Sequence, residues 1–168
     1  MESVRGEGTT FTFRLPFTVS ETAASETTTV GEDISDLLRD RKILLVEDNE
    51  INMEIAQFYL EEAGAKVEKA WNGQEAVALF SQNPAGSFDA ILMDVMMPVM
   101  DGLTAIKTIR KLDRPDARTI PIIAMTANAF DEDARKCLAA GMNAHLSKPL
   151  QMDRVVATIA RYCKKTDQ

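Results

Sequence analysis

From residue 42 onward, short apolar runs alternate five times with longer stretches of helical periodicity, and this alternation constrains the fold more than any other feature of the chain. Lys42-Ile43-Leu44-Leu45-Val46 is apolar without polar alternation, as a strand covered on both faces requires. A helix is predicted from Glu50 to Ala63, with Gly64 to stop it. After a second strand over 66–70, Asn72 and Glu75 have the spacing of a capping box for a helix to about Ser81. The third strand is read over 88–93. Asp101 then caps a helix through Leu112, with Ala105, Ile106, Ile109 and Leu112 on one face. A fourth strand over 121–125, a helix over 131–140, a fifth strand over 144–147 and a last helix over 152–163 complete the pattern. Five strands alternating with five helices specify an α/β fold, a doubly wound five-stranded parallel sheet.

The rest of the composition narrows the class. Of 168 residues, 45% are hydrophobic and 27% charged, as in soluble globular proteins. The apolar runs are too short to span a bilayer, and the start lacks the pattern of a signal peptide. Cys137 and Cys163 suggest no disulfide framework, fit a reducing cytoplasm, and read as small apolar residues on helices. A net charge of −7 argues against a nucleic-acid-binding surface. That charge is concentrated in residues 1–40, which hold 3 basic against 8 acidic side chains.

Residues 6–17 alternate apolar and polar with period two and read as one half-buried strand, with nothing to pair with. Residues 18–33 are rich in Thr, Ser, Glu, Ala and Gly and read as a linker. Ile34, Leu37 and Leu38 would form one amphipathic turn leading into the body. The expected partition is 1–17 as an isolated strand region, 18–41 as an acidic linker and 42–165 as the folded domain.

In a doubly wound sheet the functional site lies beyond the carboxyl ends of the strands, near the switch point. Those ends carry Glu47 and Asp48 after the first strand, Asp94 after the third, Thr126 after the fourth, and Lys148-Pro149 after the fifth. Three carboxylates converging on one edge repel, so a cation is wanted there; an all-oxygen site suits Mg2+. Lys148 supplies a point charge for an anion beside the metal. Metal, lysine and hydroxyl around one carboxylate are the parts that stabilise a transferring phosphoryl group. Asp48 or Asn49 capping the first helix is the plainer reading of any single acid here.

At these residues the chain resembles the receiver domain of two-component response regulators. The resemblance covers about residues 42–163 and lies in Leu45-Val46-Glu47-Asp48-Asn49, Leu92-Met93-Asp94-Val95-Met96-Met97-Pro98-Val99-Met100-Asp101-Gly102, Met125-Thr126-Ala127 and Ser147-Lys148-Pro149. It implies a flavodoxin-like topology and a phosphoacceptor module that is not a turnover enzyme, limited to self-phosphotransfer and autodephosphorylation. Asp94 would accept a phosphoryl group from a phosphohistidine. Glu47, Asp48 and Asp94 would hold magnesium with the backbone carbonyl of Met96, and Thr126 and Lys148 would contact the phosphoryl oxygens. A cis peptide at Lys148-Pro149 is expected from the same resemblance. The implied partner is the phosphohistidine domain of a histidine kinase or a histidine phosphotransfer protein.

Residues 6–17 have a second resemblance, to the last glycine box and final strand of a histidine-kinase ATP-binding domain, which implies that 1–17 is the remnant of such a domain. Kinase tail, linker and receiver stand in the order of a hybrid sensor histidine kinase, so the chain reads as the C-terminal part of one. It is expected to be cytoplasmic, with membrane anchoring left open for its parent, and without ATP binding, nucleic-acid binding or membrane contact of its own.

Other residues keep two readings. For His145, the single histidine, the resemblance implies a residue that responds with Thr126 to phosphorylation; the plainer reading is a partly packed strand residue. Met93, Met96, Met97 and Met100 read as core and loop packing, since soft thioethers suit hard carboxylate sites poorly. Trp71 reads as a packing residue at the rim. Ile51, Ile55 and Phe58 gather on the first helix, with Tyr59 and Leu60 turned to the sheet; the patch, Ile51 and Phe58 above all, is either a docking surface for a phosphodonor helix or core with a ragged boundary. Two other functional classes fit these residues less well. A magnesium-dependent aspartyl phosphatase usually has an acid where Met96 stands. A docking-only module would be expected to lack one of the acids or the lysine.

Overall fold

The computed structural model describes residues 2–4, 8–10, 36–127 and 131–163. It divides into two units, Met1–Glu32 and Asp33–Gln168. The first contains a two-stranded antiparallel ribbon, β1 (Glu2–Val4) and β2 (Gly8–Thr10), with Glu2 opposite Thr10 and Val4 opposite Gly8. This corrects the expectation of a strand without a partner. Glu-Ser-Val is too short to display a period of two, so the pairing segment could not be seen in the sequence. Residues 11–17, which carry most of the apolar alternation, and the linker residues 18–35 lie outside the described residues.

The second unit runs β3 (Lys42–Val46), α1 (Glu50–Glu62), β4 (Lys66–Ala70), α2 (Gly73–Gln82), β5 (Ala90–Asp94), α3 (Gly102–Lys111), β6 (Ile122–Thr126), α4 (Asp131–Ala139), β7 (Ala144–Ser147) and α5 (Met152–Cys163). The strands form one sheet in the order β4-β3-β5-β6-β7, every pairing parallel. The chain leaves β3 toward β4 on one side and returns to β5 on the other. The crevice at that reversal opens at the carboxyl ends of β3 and β5.

The helices α1, α2 and α3 each begin where a side chain satisfies orphan amides. Asn49 Oδ1 accepts from Asn52 N–H at 3.1 Å at the start of α1. Asn72 Oδ1 accepts from Glu75 N–H at 2.9 Å, and the Glu75 carboxylate reaches back to Trp71 N–H at 2.9 Å. Asp101 accepts from both the Thr104 amide and its hydroxyl, each at 2.8 Å.

Alternation along the buried strands sends successive side chains to opposite faces. Ile43, Leu45 and Leu92 join Met53 and Leu60 of α1 and Val155 and Ile159 of α5. Leu44, Val46, Ile91 and Met93 join Phe80 of α2, Ile106 and Ile109 of α3 and Cys137 of α4. Each such fully buried side chain contributes about 1.5–3 kcal/mol relative to exposure. Both cysteines are buried and free.

Two expectations need correction here. The folded unit begins before residue 42: Leu38 is fully buried against the α1–α5 face and its amide donates to Ala63 carbonyl at 2.8 Å. Two adjacent leucines are too short a run to show a period, yet Leu38 joins the cluster of Leu60 and Ala63 and Leu37 packs against it. Tyr59 does not turn to the sheet but is exposed, edge-on to Phe58 with ring centroids 5.5 Å apart. The buried stripe of α1 is Met53, Ala56 and Leu60, and Tyr59 lies off it at helical spacing.

Candidate functional site

Among the described residues, the buried polar or charged side chains are Glu47, Asp94 and Thr126, at 1%, 4% and 3% exposure. All three stand at the carboxyl edge of the sheet. Buried charge is costly unless paired, so their partners define the site.

Lys148 follows β7, and its ammonium donates to Glu47 Oε2 at 2.7 Å and to Asp94 Oδ2 at 2.6 Å. Its own amide donates to Thr126 carbonyl at 2.7 Å, which fixes the start of the side chain. Burial alone pulls the Lys148 ammonium down, but hydrogen bonds and charge from Asp94 and Glu47 outweigh it and hold its pKa above the ordinary value. It therefore remains a cation across the physiological range. Asp94 Oδ1 accepts from Met96 N–H at 3.0 Å. Glu47 Oε1 accepts from Asn52 Nδ2 at 3.0 Å and from Asn49 N–H at 3.4 Å.

Asp48 is exposed beside these two, and one carboxylate oxygen from each of Glu47, Asp48 and Asp94 lies within 4.8 Å of the others. Three formal carboxylates against one ammonium leave two negative charges uncompensated. A hard divalent cation with a preference for oxygen matches both that charge and that donor set.

The loop after β5 is held from two sides. Gly102 N–H donates to Val95 carbonyl at 3.0 Å, and a Cβ on Gly102 would stand 2.2 Å from the Asp94 carbonyl oxygen. Gly73 N–H donates to Met100 carbonyl at 3.0 Å, and a Cβ there would stand 2.6 Å from the same oxygen. Between the clamps, Met100 N–H donates to Pro98 carbonyl at 2.8 Å around Val99, whose φ is +68°. A β-branched residue in that region is strained. Val99 is 78% exposed and Met96 71% exposed. Met96 thus departs from the packing role expected of the methionines, whereas Met93 is fully buried.

The structure brings Glu47, Asp48, Asp94 and Lys148 together, with Thr126 at the end of the adjoining strand. The peptide at Lys148-Pro149 is cis, as expected. His145 stands apart: it is exposed on β7, opposite Ala124, and lines a cavity of about 300 Å³ with Ser147, Gln151 and Arg154. Ile51 and Phe58 are exposed on α1, at 67% and 58%. Asp89 is used elsewhere, accepting from Lys42 N–H at 2.8 Å and pairing with Arg41 at 3.0 Å. Asn52 was not anticipated. Its one sequence signal is an asparagine at the third helical position, where Glu or Gln would complete a capping box.

The family model described as response regulator receiver domain matches residues 43–160. Hybrid signal transduction histidine kinase L of Dictyostelium discoideum is 38% identical over 124 residues, 73% of this chain and 7% of that protein. Two-component system protein A of Emericella nidulans is 38% identical over 136 residues, 80% of this chain and 19% of that protein. The chain therefore spans less than a fifth of the length of these curated relatives. Among solved structures, the receiver domain of a sensor histidine kinase from Pseudomonas aeruginosa, with a magnesium ion coordinated in its active site cleft, is 38% identical with a TM-score of 0.67, covering 74% of this chain and 98% of that one. The signal receiver domain of a histidine kinase from Syntrophus aciditrophicus is 32% identical with a TM-score of 0.66, covering 74% and 91%.

Proposed function

This chain belongs to the response regulator receiver domains of two-component signalling, and from that premise we propose that Asp94 is its phosphoryl acceptor. The observation that supports this most is the Lys148 ammonium set between Glu47 and Asp94. It marks Asp94 as the carboxylate with a cation on one side and an acidic pocket on the other.

A receiver domain is a signalling phosphoacceptor, so the work of the site is one transfer onto itself. An Asp94 carboxylate oxygen forms the bond to phosphorus while the phosphorus–nitrogen bond of a phosphohistidine breaks and the imidazole leaves. Such transfers need positioning and charge stabilisation more than covalent machinery. Glu47 and Asp48, with Asp94 and the Met96 carbonyl, would hold Mg2+. When bound, the ion supplies charge neutralisation for the incoming oxygens. Lys148 balances charge from the β7 side, and Thr126 offers its hydroxyl from the end of β6. The slow return of Asp94 to the free carboxylate, by hydrolysis at the same site, belongs to this reading.

Thr126 and His145 are assigned to the response, as a biased two-state equilibrium. The exposed Ile51 and Phe58 on α1 suit an apolar helix of a phosphodonor, either a histidine kinase phosphohistidine domain or a histidine phosphotransfer protein. The similarity to hybrid histidine kinases supports placing the chain in a cytoplasmic part of one. No helix among the described residues is long and apolar enough to cross a membrane.

Incubation with acetyl phosphate and magnesium, read by intact mass, tests the assignment. One phosphoryl adduct is expected on the parent chain and none on Asp94→Asn. A stoichiometric adduct on Asp94→Asn would overturn it.

A further inference from the structure

We infer that Asn52 is a positioning residue of the cation site, holding Glu47 by its Oε1 so that Oε2 is the oxygen presented to the ion. The inference builds on the placement of magnesium at Glu47, Asp48 and Asp94 proposed above.

The two oxygens of Glu47 have different surroundings. Oε2 shares the Lys148 ammonium with Asp94 Oδ2, so it faces the acceptor. Oε1 accepts from the Asn52 amide at 3.0 Å, with the Asn49 backbone N–H at 3.4 Å. Asn52 is itself anchored, because its N–H is bonded to the Asn49 cap at 3.1 Å. A chain of contacts thus runs from the first turn of α1 to one oxygen of a carboxylate that is 1% exposed.

Lys148 cannot do this task alone. Its charge is repelled by any cation that enters the cluster, and that repulsion weakens its hold on Glu47. The Asn52 amide is a neutral donor on the opposite oxygen, so it orients the ligand without competing for the site. Helix stability gives no reason for asparagine at this position. Asparagine is a poor helix former, and a Glu or Gln would suit the third position of the first turn better. A glutamate would also place a fourth carboxylate against Glu47. The amide is used in the contact with Glu47.

Partners that orient a metal ligand typically change metal affinity by 10–100-fold when removed. Titration calorimetry of Mg2+ into the full chain and its variants provides the test. Asn52→Ala and Asn52→Leu should each bind magnesium about tenfold more weakly or worse, and Asn52→Gln, which keeps the amide, should recover most of the loss. Leucine has the higher helix propensity, so a role confined to helix stability would leave its affinity at the parental level. Parental affinity in Asn52→Ala, or equal loss in Asn52→Gln and Asn52→Ala, would overturn the inference. Asp48→Ala reports separately on the site: parental affinity there would overturn the cation placement itself, and the role of Asn52 with it.

Discussion

Gly102 lies so close to Asp94 that a Cβ on the glycine would stand 2.2 Å from the aspartate's carbonyl oxygen. The first turn of α3 is therefore laid directly on the backbone that carries the proposed acceptor. Gly102→Ala should be destabilised by about 3 kcal/mol or more, because the obstacle is main chain of a central strand and not a side chain that can swing aside. Urea unfolding measures the loss. Phosphate uptake should fall as well, since relief of the clash moves Asp94. Parental stability in this variant would show that the α3 start has room to retreat.

Val99 bears the opposite expectation. Its φ of +68° costs a β-branched residue of order 1–3 kcal/mol, and 78% exposure gives little packing in return. Val99→Gly should raise stability by about 1 kcal/mol, after allowing for the greater entropy of glycine in the unfolded chain. A thermal melt that shifts downward would mean that valine packing outweighs the strain.

Lys148→Met removes the ammonium shared by two buried carboxylates. Leaving buried charge unpaired costs up to about 3–5 kcal/mol, and the partial exposure of Lys148 places this case toward or below the lower end. The loss should be greatest with a chelator present. Magnesium should restore part of it, through preferential binding to the folded state, and should stabilise the variant more than the parent. Equal magnesium-induced shifts in the two proteins would contradict a shared cation role.

Acid stability should depend on Asp116. A hydrogen bond from Arg114, opposed by burial and helped by the Gly86 amide, holds the Asp116 pKa below its ordinary value. A carboxyl depressed on folding stabilises the protein above its unfolded pKa, and that contribution is lost as pH falls through the folded value. Asp116→Asn should therefore lower stability near neutral pH and flatten the decline below about pH 4. An unchanged acid limb would remove Asp116 from that transition.

How much was legible in the sequence follows the reach of each interaction. The caps Asn49, Asn72 and Asp101 were readable or nearly so, because a cap bonds three residues away along the chain. The five strands and five helices of the second unit were readable because burial on two faces and on one stripe leaves different periods. The convergence of Glu47, Asp94 and Lys148 followed from topology, since parallel strands must end on one edge. Tyr59 departs from its expected place because it neighbours Leu60 in sequence while standing about 100° away around the helix. Leu38 gives no sign of its burial in the sequence, because no repeating pattern surrounds it. The Asn52 contact with Glu47 needed the angle between a loop and a helix, which no spacing encodes. So did the Arg114 side chain, which crosses to the carbonyls of Phe80, Asn83 and Pro84 and stacks over the Phe80 ring.

The ion pair between Glu47 and Lys148 joins residues 101 positions apart, and its lysine lies beyond the last strand. During synthesis the ribosome releases both buried carboxylates long before it releases their counter-charge. A nascent chain that ends ahead of Lys148 holds an acidic pocket with nothing to balance it but ions from solution. Phosphate uptake by stalled chains of increasing length should therefore rise abruptly once β7 and Lys148 have cleared the exit tunnel, and a gradual rise would show that the earlier strands suffice. Competence to receive a signal then doubles as a report that the sheet has been made through its last strand, β7.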